Sequence, residues 1–206
     1  MLCAAGAALA TPEIATSPSS EPDEPKDRST DIALGLILGG TDVGDVDGPG
    51  VGFQLMIGRR FGPLALFGEY AYHSVGDGPN DAQSRNGNVN RLGVVARFDA
   101  WSIGAVDGRL RGALYFEGGA GRHHVAWDKG GSLTRNDLSF GFGFQQRVRV
   151  GDTRRSIGWF TGLRGQLARA PDVDATPTCD GPCDTLTVPS RRDLSLFWMF
   201  GINFGR

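Results

Sequence analysis

The clearest pattern in the chain is an alternation of large apolar residues between Asp193 and Arg206. In a β-strand, successive side chains point to opposite faces, so these residues share one face. They are Leu194, Leu196, Trp198, Phe200, Ile202 and Phe204. The opposite face carries small or weakly polar residues and no charge, whereas a water-facing surface normally carries Lys and Glu. The run therefore predicts a strand whose large side chains face either a protein core or lipid.

Seven further segments alternate in the same way, which makes eight in all. They are 31–39, 51–59, 63–73, 90–98, 110–121, 138–148 and 157–167. Short connectors follow the second, fourth and sixth segments, and long connectors cover 40–50, 74–88, 124–136 and 171–192. No apolar run is long enough for a transmembrane helix, but barrel strands need only about 9 to 11 residues. The pattern predicts an all-β, eight-stranded antiparallel up-and-down transmembrane barrel, with both termini at the short-turn rim.

The less apolar face of these segments carries isolated charges among glycines and alanines. Such charges suit the inside of a narrow barrel, because carboxylates and guanidinium groups can pair there and are costly when left alone. We predict a lumen network of Glu69, Arg91, Glu117, Gln145 and Arg164, in which Glu69, Glu117 and Arg164 are paired. The alternative is a soluble barrel with an apolar core and these charges in water.

Composition limits the other readings of the chain. The 32 glycines lie within the alternating segments as well as in turns, which favours bent, closely packed strands. A net charge of -2, with lysine only at positions 26 and 129, argues against a nucleic-acid partner. Residues 1–10 are typical of a signal-peptide remnant, or else form an irregular tail. Residues 11–29, rich in Pro, Ser and Glu, predict a disordered periplasmic lead-in to a barrel domain at 30–206.

Cysteine and histidine are the candidates for chemistry. Cys179 and Cys183 flank an Asp-Gly-Pro turn and predict a disulfide in the last long connector, with free thiols or a metal site as alternatives. His73 and Ser74 are neighbours in a strand and cannot pair as base and nucleophile. A composite site of His73 and His123 stays open. We expect no metal and no cofactor. The long connectors lean acidic, which is typical of solvated turns or of a surface that binds divalent cations.

Residues 30 to 204 resemble the small eight-stranded bacterial outer-membrane barrels of the OmpA, OmpX and OmpW type. The resemblance rests on the strand count, the loop asymmetry and the final aromatic strand, although Gly205 and Arg206 follow the aromatic that usually ends such chains. It implies a monomer in the bacterial outer membrane, with both termini in the periplasm. The barrel-insertion machinery would insert it, and its partners would be outer-membrane lipids and lipopolysaccharide. We expect a non-enzymatic structural or surface-interaction role through long extracellular loops. The alternatives are a narrow solute or ion channel and a lipid-modifying enzyme.

Overall fold

The computed structural model describes residues 28–43, 46–76, 86–104, 110–128, 132–151, 155–168 and 193–206. These residues form eight strands: β1 (Arg28–Val43), β2 (Val46–Phe61), β3 (Leu64–Val75), β4 (Gly87–Gly104), β5 (Leu110–Trp127), β6 (Ser132–Arg149), β7 (Ser156–Ala168) and β8 (Asp193–Gly205). Each strand pairs antiparallel with the next, and β8 pairs with β1 to close the barrel. The predicted eight-stranded antiparallel up-and-down barrel is confirmed. Among the described residues, no helix is long and apolar enough to cross a membrane.

The two faces of the strands differ as the alternation predicts, with the large apolar side chains outside. On β8, Trp198 is 52% exposed on the outer surface, whereas its neighbour Phe197 is 3% exposed inside the barrel. Leu194, Leu196, Phe200, Ile202 and Phe204 are exposed on the same outer face as Trp198. Glu69, Glu117 and Arg164 are buried inside. The soluble alternative, with an apolar core and these charges in water, is therefore wrong.

The register of the strands sets the width of the barrel. Following the paired residues once around the barrel from Thr30 leads through Leu66, Gly118 and Leu196 back to Gly40 on β1, a stagger of ten residues. With ordinary strand spacings, this stagger tilts the strands by about 40°. Eight strands at such a tilt enclose a space just wide enough for side chains to fill.

Two of the predicted long connectors are mostly paired strand, which corrects the loop assignment. The β1–β2 ladder continues to the pair Val43 and Val46, and the β5–β6 ladder continues to Ala126 and Ser132. Their Gly-rich and Asp-rich composition indicates loops, but pairing satisfies the backbone hydrogen-bonding groups, so the hairpins extend. Most of the second long connector and all of the fourth, 171–192, including Cys179 and Cys183, lie outside the described residues.

The short-turn rim contains both ends of the described barrel. Strand β1 begins at Arg28, two residues before the predicted boundary, because Arg28 and Ser29 pair with β2. The remaining signal-remnant and lead-in residues, 1–27, lie outside the described residues. Thr30 and Arg206 exchange backbone hydrogen bonds of 2.9 and 3.0 Å, so the two residues after Phe204 continue the ladder. Gly62, in the β2–β3 turn, has a φ of 61°, a left-handed conformation that glycine adopts without strain.

Candidate functional site

The lumen is filled by side chains whose charges balance. Among the described residues, twelve charged side chains point inward and are buried or half-buried, six of them acidic and six arginine. The acids are Asp31, Glu69, Asp99, Glu117, Asp137 and Asp193, and the arginines are Arg60, Arg91, Arg97, Arg135, Arg147 and Arg164. A buried charge without a partner is costly, so equal numbers allow the set to pair.

Five of these side chains form a continuous central cluster. Glu69 accepts hydrogen bonds from Arg91 and Arg164. Glu117 accepts from Arg164 Nε at 2.6 Å and from Arg97 Nη2 at 2.9 Å. The order of contact is thus Arg91, Glu69, Arg164, Glu117 and Arg97, drawn from four strands. The structure brings together four of the predicted network residues, namely Glu69, Arg91, Glu117 and Arg164.

Gln145, the fifth predicted residue, lies instead in a second cluster at the short-turn rim. Its amide donates to Asp99 Oδ1 at 2.6 Å, and Asp99 also pairs with Arg60 at 2.5 Å. Asp31 accepts from Arg60 Nε and from Arg147 Nη2, both at 2.9 Å. These four charged residues lie near the ends of their strands and are absent from the predicted lumen network. All four occupy alternate positions along their strands that point inward. This alternation is the sequence signal that could have identified them.

Arg97 is a further lumen residue that the sequence analysis missed. Its guanidinium carbon lies 4.1 Å from the ring centroid of Tyr115, 5.2 Å from that of Phe160 and 5.5 Å from that of Phe67. These distances are within cation–π range. The rings belong to an apolar cluster that also contains Ala33, Met56, Ala65, Val95 and Met199. Arg97 therefore lies among aromatic rings while its guanidinium group pairs with Glu117, its direct neighbour on β5.

The loop end of the lumen contains the two histidines considered for catalysis. His123 Nδ1 lies 3.3 Å from Asp137 Oδ2, and Asp137 also accepts from Arg91 Nε at 2.9 Å. The ring of His73 packs edge-on against Phe197, with centroids 4.9 Å apart. Both histidines are buried, and an apolar cluster of Val75, Val89, Val125 and Trp127 lies beyond them on β3, β4 and β5. In the described part of the chain, no group of three or more potential ligands is placed to hold a metal ion.

Inward-facing glycines make the space that the large lumen side chains occupy. A Cβ on Gly121 would lie 2.8 Å from Arg91 Nη2, and one on Gly143 would lie 2.6 Å from Tyr115 Cζ. Both distances are shorter than van der Waals contact. Part of the high glycine content therefore serves the filling of the lumen.

The outer surface is apolar, and several of its polar groups bond to each other. Trp198 Nε1 donates to Thr161 Oγ1 at 2.8 Å, and Trp159 Nε1 donates to Gln146 Oε1 at 2.8 Å. Toward the loop end, the hydroxyls of Tyr70 and Tyr72 donate to the side chains of Asn90 and Asn88 at 2.9 and 2.7 Å. These four side-chain pairs satisfy polar groups that would otherwise lie unpaired on the apolar surface.

Comparison with solved structures relates this geometry to known proteins. Neisserial surface protein A (NspA) is similar over 84% of this chain and 95% of its own, with a TM-score of 0.52 and 12% identity. The chain has the fold of a small eight-stranded outer-membrane β-barrel. Ail, the attachment invasion locus protein of Yersinia pestis, was also found, in a complex with the heparin analogue sucrose octasulfate. It has a TM-score of 0.42 and 13% identity, over 87% of this chain and 99% of its own. No family model and no curated protein sequence matches the chain.

Proposed function

We propose that the protein is a non-enzymatic barrel of the bacterial outer membrane, with a structural or surface-interaction role carried by its loop end. The observation that supports this most directly is the inverted polarity of the fold. Large apolar side chains cover the outside, while the buried charges inside are balanced. Such a surface is stable in lipid and would aggregate in water. Periplasmic termini, a monomeric state and the absence of a cofactor belong to the same proposal.

The filled lumen favours a scaffold over a channel. Glu69 and Arg164, in the central cluster, are 3% and 4% exposed, so almost no water-sized space adjoins them. The rim cluster of Asp31, Arg60, Asp99 and Arg147 lies across the lumen at the short-turn end. An ion would have to displace paired charges at both levels to pass.

The position of the histidines favours a non-enzymatic role. His73 and His123 point inward and are 3% and 4% exposed, and Ser74 lies on the outer face, where it accepts from the amide of Val51 at 3.4 Å. A lipid substrate moving in the membrane would reach the outer face of the barrel and not these rings. The composite histidine site therefore has no route for an acyl substrate among the described residues.

Cell fractionation and gel mobility test the proposal. We expect the protein in the outer-membrane fraction, migrating faster before boiling than after, as closed barrels do. In planar bilayers we expect no steady conductance. Mass spectrometry of lipid A from cells with and without the protein should show the same species. A cytosolic protein without a heat-dependent shift would contradict the membrane assignment, stepwise conductance would favour a channel, and altered lipid A would favour an enzyme.

A further inference from the structure

Two more arginines lie at inward positions just beyond the rim cluster, at the opening of the lumen that we call the short-turn mouth. Arg111 is the second residue of β5 and Arg149 is the last residue of β6, and both are exposed. Arg111 pairs directly across the sheet with Arg147, and Arg149 is the next inward residue after Arg147 on β6. Directly opposed side chains have Cβ atoms about 5 Å apart, and diagonal ones about 7 to 8 Å apart. Three arginines therefore share one side of the short-turn mouth.

These arginines give the short-turn mouth a surplus of positive charge. The rim cluster itself is neutral, because its two aspartates pair with its two arginines. Arg111 and Arg149 add two positive charges, and among the described residues neither has an ion pair or a side-chain hydrogen bond. The turn sequences 105–109 and 152–154 contain two aspartates and two arginines, which leaves the sum unchanged. Like charges at directly opposed positions are destabilising, so this arrangement favours the binding of an anion.

The wall beside these arginines offers further hydrogen-bond donors. Cross-strand pairing puts Arg147, Gly158 and Asn203 in one row on β6, β7 and β8. Asn203 Oδ1 lies 2.6 Å from the position of a Cβ on Gly158, so its amide extends over the glycine toward Arg147. Arg147 Nε and Asn203 Nδ2 are buried and have no hydrogen-bond partner in the described part of the chain. Buried donors without acceptors are costly, and an anion at this mouth would supply acceptors.

We propose that the short-turn mouth binds the phosphate group of a small water-soluble molecule. A phosphate monoester carries about 1.5 to 2 negative charges at pH 7, which matches the surplus of two arginines. Arg111 and Arg149 bind it directly through charge-assisted hydrogen bonds, while Arg147 and Asn203 donate from the wall. Because Arg111 and Arg149 occupy inward positions, the ligand arrives from water and not from the bilayer. The proposal goes beyond the proposed function and rests on the mouth alone.

Phosphorus NMR of the full chain in a phosphorus-free detergent tests the site, with inorganic phosphate and glycerol 3-phosphate as separate probes. Arg111→Gln and Arg149→Gln each remove one cation. Their matched controls are Arg59→Gln, at an exposed arginine on the outer face of β2 near the same rim, and Arg122→Gln, at an exposed arginine on the outer face of β5 toward the loop end. We expect about tenfold weaker binding of both probes in each test variant and unchanged binding in each control. The heat-dependent gel shift verifies that every variant is folded.

Competing anions separate a phosphate site from general attraction of negative charge. Chloride at matched ionic strength and acetate at the probe concentration should leave phosphate bound, because neither carries two charges on one group. Phosphatidylglycerol in mixed micelles should not compete, because its phosphodiester has one charge and lies outside the barrel wall. Equal binding by test and control variants, or displacement of phosphate by any of these three competitors, would overturn the site.

The remaining alternative occupant is the chain itself, because residues 11–27 contain five acidic side chains. We expect the full chain to bind phosphate with these acids in place. Binding that occurs only after all five are replaced by the corresponding amides would assign the mouth to this segment and overturn an external ligand. The proposed function fails separately, if the original protein is absent from the outer membrane.

Discussion

The lumen and the outer surface of the barrel are built from alternate residues of the same strands, yet they differ in the polar groups that they contain. Inside, six carboxylates and six guanidinium groups are buried or half-buried among the described residues. Outside, the polar groups of Trp198 and Thr161 bond to each other on an apolar surface. The difference agrees with the proposed location in a membrane, where lipid would exclude charge from the outer face. The narrow lumen accepts charge provided that the charges are paired.

The largest expected effect comes from breaking the balance inside the lumen. Arg164→Gln leaves Glu69 and Glu117 with one fewer cation, and removing one partner from a buried ion pair typically costs about 3 to 5 kcal/mol. The double variant Arg164→Gln with Glu117→Gln should lose less free energy of unfolding than Arg164→Gln alone, because it restores the charge balance of the lumen. Urea unfolding in lipid vesicles measures both. Additive losses in the double-mutant cycle would remove the coupling between these residues.

The next effect comes from placing a charge on the outer face. Trp198→Arg should cost about 2 to 4 kcal/mol and reduce assembly, because an arginine near the middle of a bilayer is poorly solvated. Urea unfolding and the fraction of heat-modifiable protein check this. Trp198→Phe is the control, since it keeps the apolar surface and loses only the hydrogen bond to Thr161. Normal assembly and unchanged stability of the arginine variant would place position 198 outside lipid.

A smaller effect is expected where lumen filling depends on glycine. Gly143→Ala places a methyl group 2.2 Å from the backbone oxygen of Thr161 and 2.6 Å from Tyr115 Cζ, and such overpacking typically costs about 1 to 3 kcal/mol. Gly118→Ala, on the open outer face of β5, is the matched control and should be nearly neutral. The same unfolding assay compares the two variants. Equal stabilities would mean that the lumen has room for a methyl group between Thr161 and Tyr115.

The alternation predicted the strands and their outer faces but only part of the lumen. Parity along the strand was enough to predict that Trp198 and Phe204 point outward and that Glu117 and Arg164 point inward. It does not say which residues meet across the lumen, because that depends on the ten-residue stagger, which only the register supplies. Asp31 and Arg147 are 116 residues apart in sequence and bond at the short-turn rim. Loop composition also failed at 40–43 and 46–50, where backbone pairing continues the hairpin.

The smallest expected effect concerns Cys179 and Cys183, which lie outside the described residues. If they form the predicted disulfide, only three residues separate them, so the loop-entropy model gives a stabilisation at the low end of the roughly 0 to 5 kcal/mol range. Reduction should leave the heat-dependent gel shift intact and make residues 171–192 easier to cleave by protease. Two thiols that alkylate without prior reduction, once Cys3 is accounted for, would contradict the disulfide.

Quenching of tryptophan fluorescence by brominated acyl chains tests the inverted polarity most directly. Trp198 is 52% exposed outside, and the next residue along β8, Phe197, is 3% exposed inside at the same level. Two variants with a single tryptophan, one at position 198 and one as Phe197→Trp, with phenylalanine at the other tryptophan positions, would be folded into vesicles of brominated lipid. We predict strong quenching at position 198 and little quenching at position 197. Equal quenching, or stronger quenching at position 197, would contradict an apolar face in lipid and a filled lumen.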